Sequence, residues 1–219
     1  MTANRLFRAA PLAILGLALA ACAGIPAAAP TPADALFANL RALCGQAFAG
    51  RVEVDVPPAP GNDAFAGKAL VMHVRQCGDD ELRIPFHVGD DRSRTWVVTR
   101  TASGLRLKHD HRHADGSADA VTMYGGDSVA AGTAGRQEFP VDAESVASFR
   151  REGLDASVAN TWALELAPGE TFVYELARPG GRLFRVSFDL ATPVPPPPPP
   201  WGTQSGGAAA HLQERPRLL

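Results

Sequence analysis

The amino-acid sequence predicts a mainly β fold, an antiparallel up-and-down β-barrel with an N-terminal helix and a second short helix. Across residues 48–190, apolar and polar side chains mostly alternate with a period of two, which is typical of half-buried strands. Clusters of Gly, Asp, Pro and Ser interrupt this pattern at near-regular intervals, as turns do. Sequential strands joined by short loops either leave two edges exposed or close into a barrel, which removes the edges. A two-sheet β-sandwich is the alternative.

Two helices are predicted where the period of two is absent. Residues 34–43 place four apolar side chains on one helical face: Leu36, Phe37, Leu40 and Leu43. This helix would cover one mouth of the barrel. A second helix is expected at residues 143–152, with Asp142 as its N-cap.

The strands are predicted from the alternation and from the turns between them. They are expected at residues 48–56, 68–77, 81–88, 94–100, 105–113, 120–124, 161–166, 170–177 and 183–190. Gly125-Gly126-Asp127 is interpreted as a hairpin turn.

The first 22 residues have the parts of a bacterial lipoprotein signal. Arg5 and Arg8 precede an uncharged, Leu- and Ala-rich run at residues 11–21, which is too short for a spanning helix of about 20 residues. The motif Leu19-Ala20-Ala21-Cys22 resembles the lipobox, in which the cysteine is acylated and becomes the first residue. An ordinary signal cleaved near Ala21 or Ala23, with Cys22 incidental, is the alternative.

Lipidation of Cys22 would locate the protein in the bacterial cell envelope. Ala23 follows the cysteine, and by the sorting rule of two-membrane bacteria the absence of Asp there points to the outer membrane, facing the periplasm. Acyl chains such as palmitate, at about 0.8 kcal/mol per buried methylene, would hold the protein firmly. The membrane is therefore the first partner that the sequence predicts.

Composition divides the chain into four segments. A signal peptide at residues 1–21 is followed by an Ala/Pro-rich tether at 22–32, a β-rich globular domain at 33–192 and a tail at 193–219. Residues 195–200 are all proline, which favours a polyproline II rod without internal hydrogen bonds. No hydrophobic periodicity follows it, so the tail is expected to be disordered.

With Cys22 assigned to lipid, Cys44 and Cys77 remain. A cysteine pair in an exported chain suggests a disulfide, and its loop of roughly 30 residues would stabilise the fold by about 3–4 kcal/mol in the chain-entropy model. Two buried free thiols are the alternative. The chain has 21 basic and 23 acidic residues, and its Lys and Arg residues form no run or patch. Nucleic-acid binding therefore has no electrostatic support.

Three histidines alternate along one predicted strand, Leu105-Arg106-Leu107-Lys108-His109-Asp110-His111-Arg112-His113. In a regular strand His109, His111 and His113 share the face of the two leucines, which is the barrel interior or its rim. The charged residues between them are expected to face solvent, as is His73 in the strand at 68–77.

The length of the preceding turn determines what these histidines face. A two-residue turn at Ala102-Ser103 pairs Val98 with Leu107, Trp96 with His109 and Arg94 with His111. A turn one residue longer pairs Thr95 with His109 and places Trp96 outside, because a one-residue slip exchanges the faces. The sequence leaves both registers open.

Alternating histidines are compatible with several kinds of chemistry. Two imidazoles of a His-X-His strand can converge on one metal ion, with a third ligand from elsewhere. Together with Trp96 and Arg94, the histidines could instead line a ligand pocket, or form a pH-sensitive patch. The plainest interpretation is a polar strand end that hydrogen-bonds into the following turn. The sequence identifies no cofactor.

Four motifs carry a family resemblance: residues 67–75, 83–89, 109–113 and 124–127. On them the chain resembles a family of uncharacterised secreted proteins from proteobacteria, which implies a class of organism and no mechanism. The expected topology is lipocalin-like or calycin-like. The Gly-X-Trp motif that lipocalins carry near the first strand is absent at Phe48-Ala49-Gly50-Arg51.

The function expected from the sequence is a lipid-anchored envelope protein that binds or carries a small, partly apolar ligand in its barrel. A structural envelope lipoprotein without a ligand is the alternative. A metal-dependent hydrolase is a weaker one, because such a site needs converging ligands and a general base, and the sequence supplies only the histidines.

Overall fold

A computed structural model describes residues 29–58, 64–129 and 132–203. In these ranges eleven strands form one antiparallel sheet. They are β1 (Ala47–Val56), β2 (Leu70–His73), β3 (Gln76–Cys77), β4 (Glu81–Val88), β5 (Asp91–Thr101), β6 (Gly104–His111), β7 (Tyr124–Asp127), β8 (Arg136–Pro140), β9 (Thr161–Ala167), β10 (Thr171–Arg178) and β11 (Arg182–Val194). The helices are α1 (Pro32–Ala42) and α2 (Ala143–Arg151), followed by a short 3-10 helix at Asp155–Ala159.

The sheet is nearly closed into the predicted barrel. Its order is β7-β6-β5-β4-β2-β1-β11-β10-β9-β8, with β3 paired to β4, so β7 and β8 are its two ends. These ends meet. The Asp142 amide donates to the carbonyl of Gly125 at 2.8 Å, and the Val129 amide donates to the carbonyl of Glu138 at 3.3 Å. A Cβ at Gly126 would lie 1.8 Å from the Pro140 carbonyl oxygen, so only glycine permits this approach.

Helix α1 covers one end of the barrel, as predicted. Thr31 and Asp34 form a capping box at its start, and the apolar face of the helix is fully buried in the core. At the end of β5, Arg100 pairs with Asp34 at 3.0 Å, and its guanidinium lies over the Phe37 ring at 4.6 Å. The end of β5 therefore marks the covered end of the barrel.

Cys44 and Cys77 form the predicted disulfide, with their Cα atoms 6.2 Å apart. It joins the segment after α1 to β3, which pairs with β4. The bond therefore fastens the helix to the sheet that it covers.

The tail predicted to begin at Pro193 begins later. Strand β11 runs to Val194, which pairs with Ala47 of β1. Further on, the Trp201 amide donates to the carbonyl of Arg92, and the Arg92 guanidinium donates to the carbonyl of Pro199 at 3.3 Å. Residues 195–200, here called the proline strap, are therefore held against the sheet at both ends. The remainder of the predicted tail, 204–219, lies outside the described residues.

The length of the proline strap matches its path. Six residues of polyproline II span about 19 Å at roughly 3.1 Å each. From β11 across β1 and β2 to β4 and β5 there are four strand spacings of about 4.8 Å, or roughly 19 Å. One row of outward-facing residues lies along this path and is buried: Ala47, His73, Pro85, Thr95 and Asp110. His73 was predicted to face solvent, and this prediction was wrong, because His73 is buried in this row.

Several local predictions were wrong. The strand expected at 120–124 lies instead at Tyr124–Asp127, so Gly125-Gly126-Asp127 is a strand and not a turn, and β8 was not predicted. Lys108 and Asp110 face outward but are buried. Lys108 Nζ binds Asp142 at 2.6 Å, and Asp110 accepts a hydrogen bond from Arg112 Nε at 2.8 Å.

Two parts of the N-terminal prediction lie outside the described residues. These are the signal peptide at 1–21 and the tether up to residue 28, which includes Cys22. Within the described ranges, no helix combines the length and apolar character needed to cross a membrane.

Candidate functional site

The β5–β6 hairpin has the register expected for a two-residue turn. Trp96 pairs with His109 and Arg94 pairs with His111, whereas Thr95 pairs with Asp110. Trp96 and His109 therefore share the interior face, and both are almost fully buried. The longer turn, which would have placed Trp96 outside, is excluded.

A cavity of about 170 Å³ lies at the end of the barrel opposite α1. Arg100 contacts α1 at the end of β5, whereas Arg94, six residues earlier on the same strand, lines the cavity. Six residues of a strand span about 20 Å. A cavity of about 150 Å³ in another protein holds benzene, so this one has room for a ligand of about one ring with a short substituent.

The cavity wall is mostly aromatic. Its rings are Phe65, Phe86, Trp96, Tyr124, Tyr174 and Phe184. The Trp96 ring is nearly parallel to those of Phe86 and Tyr174, with centroids 5.0 and 4.7 Å away. Leu176 completes the apolar part. Such a surface favours a flat, apolar molecule.

Of the five predicted ligand-binding residues, four line the cavity: Trp96, Arg94, His109 and His111. His113 does not. Strand β6 ends at His111, and the His113 side chain is 57% exposed and lies 4.0 Å from Asp119. The alternation therefore placed His109 and His111 on the correct, interior face of the sheet. It failed for His113, because the strand ends two residues before it.

His109 makes two hydrogen bonds that determine its protonation. Nδ1 lies 3.1 Å from the carbonyl oxygen of Tyr124, and Nε2 lies 2.9 Å from the hydroxyl of Tyr174. A carbonyl only accepts, so Nδ1 carries the proton and Nε2 accepts from Tyr174. Burial lowers the pKa of His109 to about 3, so the ring is neutral near pH 7.

His111 extends this network toward the cavity mouth. Its Nε2 lies 3.1 Å from the hydroxyl of Tyr124. Burial, and then the charge of Arg94, lowers the pKa of His111, whereas burial raises the pKa of Tyr124 to about 12. A neutral phenol and a neutral imidazole therefore share this hydrogen bond.

The predicted metal set His109, His111 and His113 does not fit a metal ion. Both nitrogens of His109 are engaged, and His113 lies away from the other two. Among the described residues, no group of three His, Cys, Asp or Glu side chains is placed to hold a metal. We derive no metal chemistry and no hydrolytic step from this site.

Two arginines border the cavity, and each already has a carboxylate partner. Arg94 Nη1 binds Asp91 at 2.5 Å. Arg182 Nη1 binds Asp55 and also donates to the carbonyl of Pro57 at 2.6 Å. Each guanidinium lies over an aromatic ring of the wall, Arg94 over Phe65 at 5.9 Å and Arg182 over Phe184 at 5.6 Å.

Sequence reasoning missed Phe65 and Arg182 as members of this site. Phe65 is an isolated aromatic residue in a Gly-, Ala- and Pro-rich stretch, which is the available signal for it. Arg182 follows Gly180-Gly181 at a hairpin and carries no local signal. Its position depends on the pairing of β11 with β1, which brings Arg182 near Asp55.

The chain matches no protein family, no curated protein and no solved structure. The class of protein is therefore defined by its fold and its cavity alone. The protein is a disulfide-bonded, nearly closed antiparallel barrel, covered at one end by a helix and carrying an aromatic cavity at the other.

Proposed function

We propose that this protein is a lipid-anchored protein of the bacterial envelope that binds or carries a small, partly apolar ligand in the aromatic cavity. The observation that carries the proposal is the cavity of about 170 Å³ walled by Trp96, Tyr174 and neutral His109. A core that served only stability would gain by filling this space, because an empty apolar volume costs free energy.

The polar groups of the wall support binding without chemistry. His109 and His111 are each hydrogen-bonded to a tyrosine, and burial raises the pKa of both phenols, so neither hydroxyl is a ready nucleophile. A buried, satisfied network of this kind stiffens the wall and favours one shape of cavity. Rigid walls reduce what a ligand loses on binding.

The proposed anchor at Cys22 gives the barrel an orientation. The chain enters the fold at Pro32, the first residue of α1, and α1 covers the end opposite the cavity. Nine residues separate Cys22 from Pro32 and span at most about 30 Å. Lipidation would therefore hold the covered end near the membrane and direct the cavity mouth toward the periplasm.

The test is to block the cavity without removing its polar groups. Leu176 is half-buried and lines the cavity, so Leu176→Trp should fill it, whereas Leu176→Met should leave it open. Native mass spectrometry of the full chain, purified from its membrane, should show a bound small molecule for the parent and for Leu176→Met but not for Leu176→Trp. A bare mass for the parent, together with no binding of one-ring compounds in solution, would favour the structural lipoprotein instead.

A further inference from the structure

We propose that the cavity selects an uncharged molecule of about one ring whose polar end accepts hydrogen bonds from Arg94 and Arg182 at the mouth. This inference rests on the proposed function and names its ligand class. Three features carry it: the charge of the cavity wall, the hydrogen-bonding groups that the wall leaves free, and the size of the space.

The wall of the cavity is electrically balanced. Arg94 is paired with Asp91, and Arg182 is paired with Asp55. The side chains of Arg182 and Asp55 are both more than four-fifths buried. A ligand carboxylate would therefore add an uncompensated charge to a low-dielectric site, and a ligand cation would find both carboxylates occupied.

The two arginines of the cavity wall have free hydrogen-bond donors. The hydroxyl of Tyr174 donates to Nε2 of His109, and the hydroxyl of Tyr124 is hydrogen-bonded to Nε2 of His111, so both ring atoms already have a partner. Each guanidinium has five N–H groups, yet Arg94 and Arg182 bind described residues through Nη1 alone. The N–H groups on Nε and Nη2 have no partner in the described part of the chain, so the arginines offer donors to a ligand acceptor.

The size of the space limits the rest of the ligand. About 170 Å³ accommodates one aromatic ring with a short substituent, and it excludes a long acyl chain or a fused-ring system. Arg94 and Arg182 lie over the rings of Phe65 and Phe184, so a ligand ring could rest on the aromatic wall with its acceptor at the guanidinium groups.

Three probes of nearly equal shape test this selectivity at pH 7 with the purified full chain. Acetophenone carries an uncharged acceptor, benzoate carries a charge in the same place, and α-methylstyrene replaces the acceptor with carbon. We expect acetophenone to bind about tenfold or more tightly than either of the others, because one hydrogen bond to a charged group accounts for a factor of that order. Ligand-observed NMR titration gives the three dissociation constants.

The outcomes separate this inference from the proposed function. Benzoate binding as tightly as acetophenone would overturn the selection against charge, and α-methylstyrene doing so would overturn the role of the acceptor. Both results would leave a ligand-binding cavity intact. If none of the three probes binds at millimolar concentration, the inference is overturned, and the proposed function fails as well if the parent chain also shows a bare mass.

Arginine variants supply a second, independent readout. Arg94→Met removes the donors of one arginine and should reduce the preference for acetophenone over α-methylstyrene. Arg106→Met is the matched control, because Arg106 also pairs with an aspartate, Asp127, but lies exposed on the outer face. It should keep the preference. If Arg94→Met fails to fold, Arg182→Met removes the donors of the second arginine instead. An unchanged preference for acetophenone in whichever variant folds would overturn the role assigned to the arginines.

Discussion

The hydroxyl of Tyr174 lies 2.9 Å from Nε2 of His109, and through this bond a tyrosine of β10 meets a histidine of β6 across the barrel. The two strands are far apart in the sheet order, so the bond spans the interior and not a neighbouring pair. His109 is held neutral by burial, and Tyr174 supplies the proton that its accepting nitrogen needs. This hydrogen bond joins two residues of the cavity wall.

Removing the Tyr174 hydroxyl should destabilise the fold more than removing that of Tyr124. Tyr174→Phe leaves buried Nε2 of His109 without a donor, which costs about 1–3 kcal/mol. Tyr124→Phe deprives Nε2 of His111, which is less buried and can bind water. Urea unfolding of both variants measures the difference. Equal losses of stability would contradict the central role of the His109 bond.

Lowering the pH should destabilise the protein below about pH 6.5. Burial lowers the pKa of His87 to about 4 and that of His109 to about 3. In the unfolded chain the pKa of a histidine is about 6.5, so below that pH each of these residues takes up a proton on unfolding. The free energy of unfolding therefore decreases by up to about 1.4 kcal/mol for each such residue per unit by which the pH is lowered. The loss continues until the pH reaches the folded pKa.

The contribution of one histidine can be isolated by comparing variants. His87→Gln should reduce the dependence of unfolding free energy on pH between about 6.5 and 4.5. His113→Gln should retain it, because His113 is more than half exposed. Urea unfolding at several pH values gives both slopes. A parental slope in His87→Gln would show that His87 is not buried neutral.

Shortening the chain should reveal the contribution of the proline strap. A chain ending at Val194 lacks the strap and Trp201, whereas a chain ending at Thr203 retains both. We expect only the shorter chain to lose stability, by about 2 kcal/mol, because it loses the apolar area that buried Pro200 and partly buried Trp201 contribute. Hydrogen exchange should also increase around His73. Equal stability and exchange in the two chains would show that the strap is not held against the sheet.

The lipid anchor can be tested in cells of a two-membrane bacterium. Cys22→Ala should abolish incorporation of a labelled palmitate analogue and release the protein from the membrane fraction. The matched control is Ala23→Ser, which changes a neighbouring small residue and leaves the lipobox cysteine in place. Labelling of Cys22→Ala at the parental level would contradict lipidation at this residue.

Local patterns in the sequence predicted much of the barrel and one face of the site. The alternation of β6 placed His109 on the interior face, and the pairing of Trp96 with His109 is one of the two registers that the sequence left open. The single N-cap at Asp142 likewise predicted α2, whose N-terminal residue is Ala143. These features depend on contacts between residues near in the chain.

The features that were missed depend on distant contacts. Gly125 and Gly126 resemble a turn in isolation, but they lie in a strand where Gly125 closely approaches the backbone of Leu107 and Gly126 that of Pro140. The prolines predicted to be disordered are instead held by Arg92, and the contact that holds them lies about a hundred residues away in the chain. The position of Arg182 at the cavity likewise depends on a distant contact, the pairing of β11 with β1.

Intermolecular NOE spectroscopy of the full chain with acetophenone tests directly whether a ligand binds in the aromatic cavity inside the barrel. We expect NOEs from the ring protons of the ligand to the indole of Trp96 and to the methyl groups of Leu176. In Leu176→Met the Trp96 NOEs should persist, joined by one to the methyl group of the substituted side chain, and in Leu176→Trp the ligand NOEs should be lost. Saturable binding without NOEs to Trp96, or with NOEs that persist unchanged in Leu176→Trp, would contradict a ligand site inside the barrel.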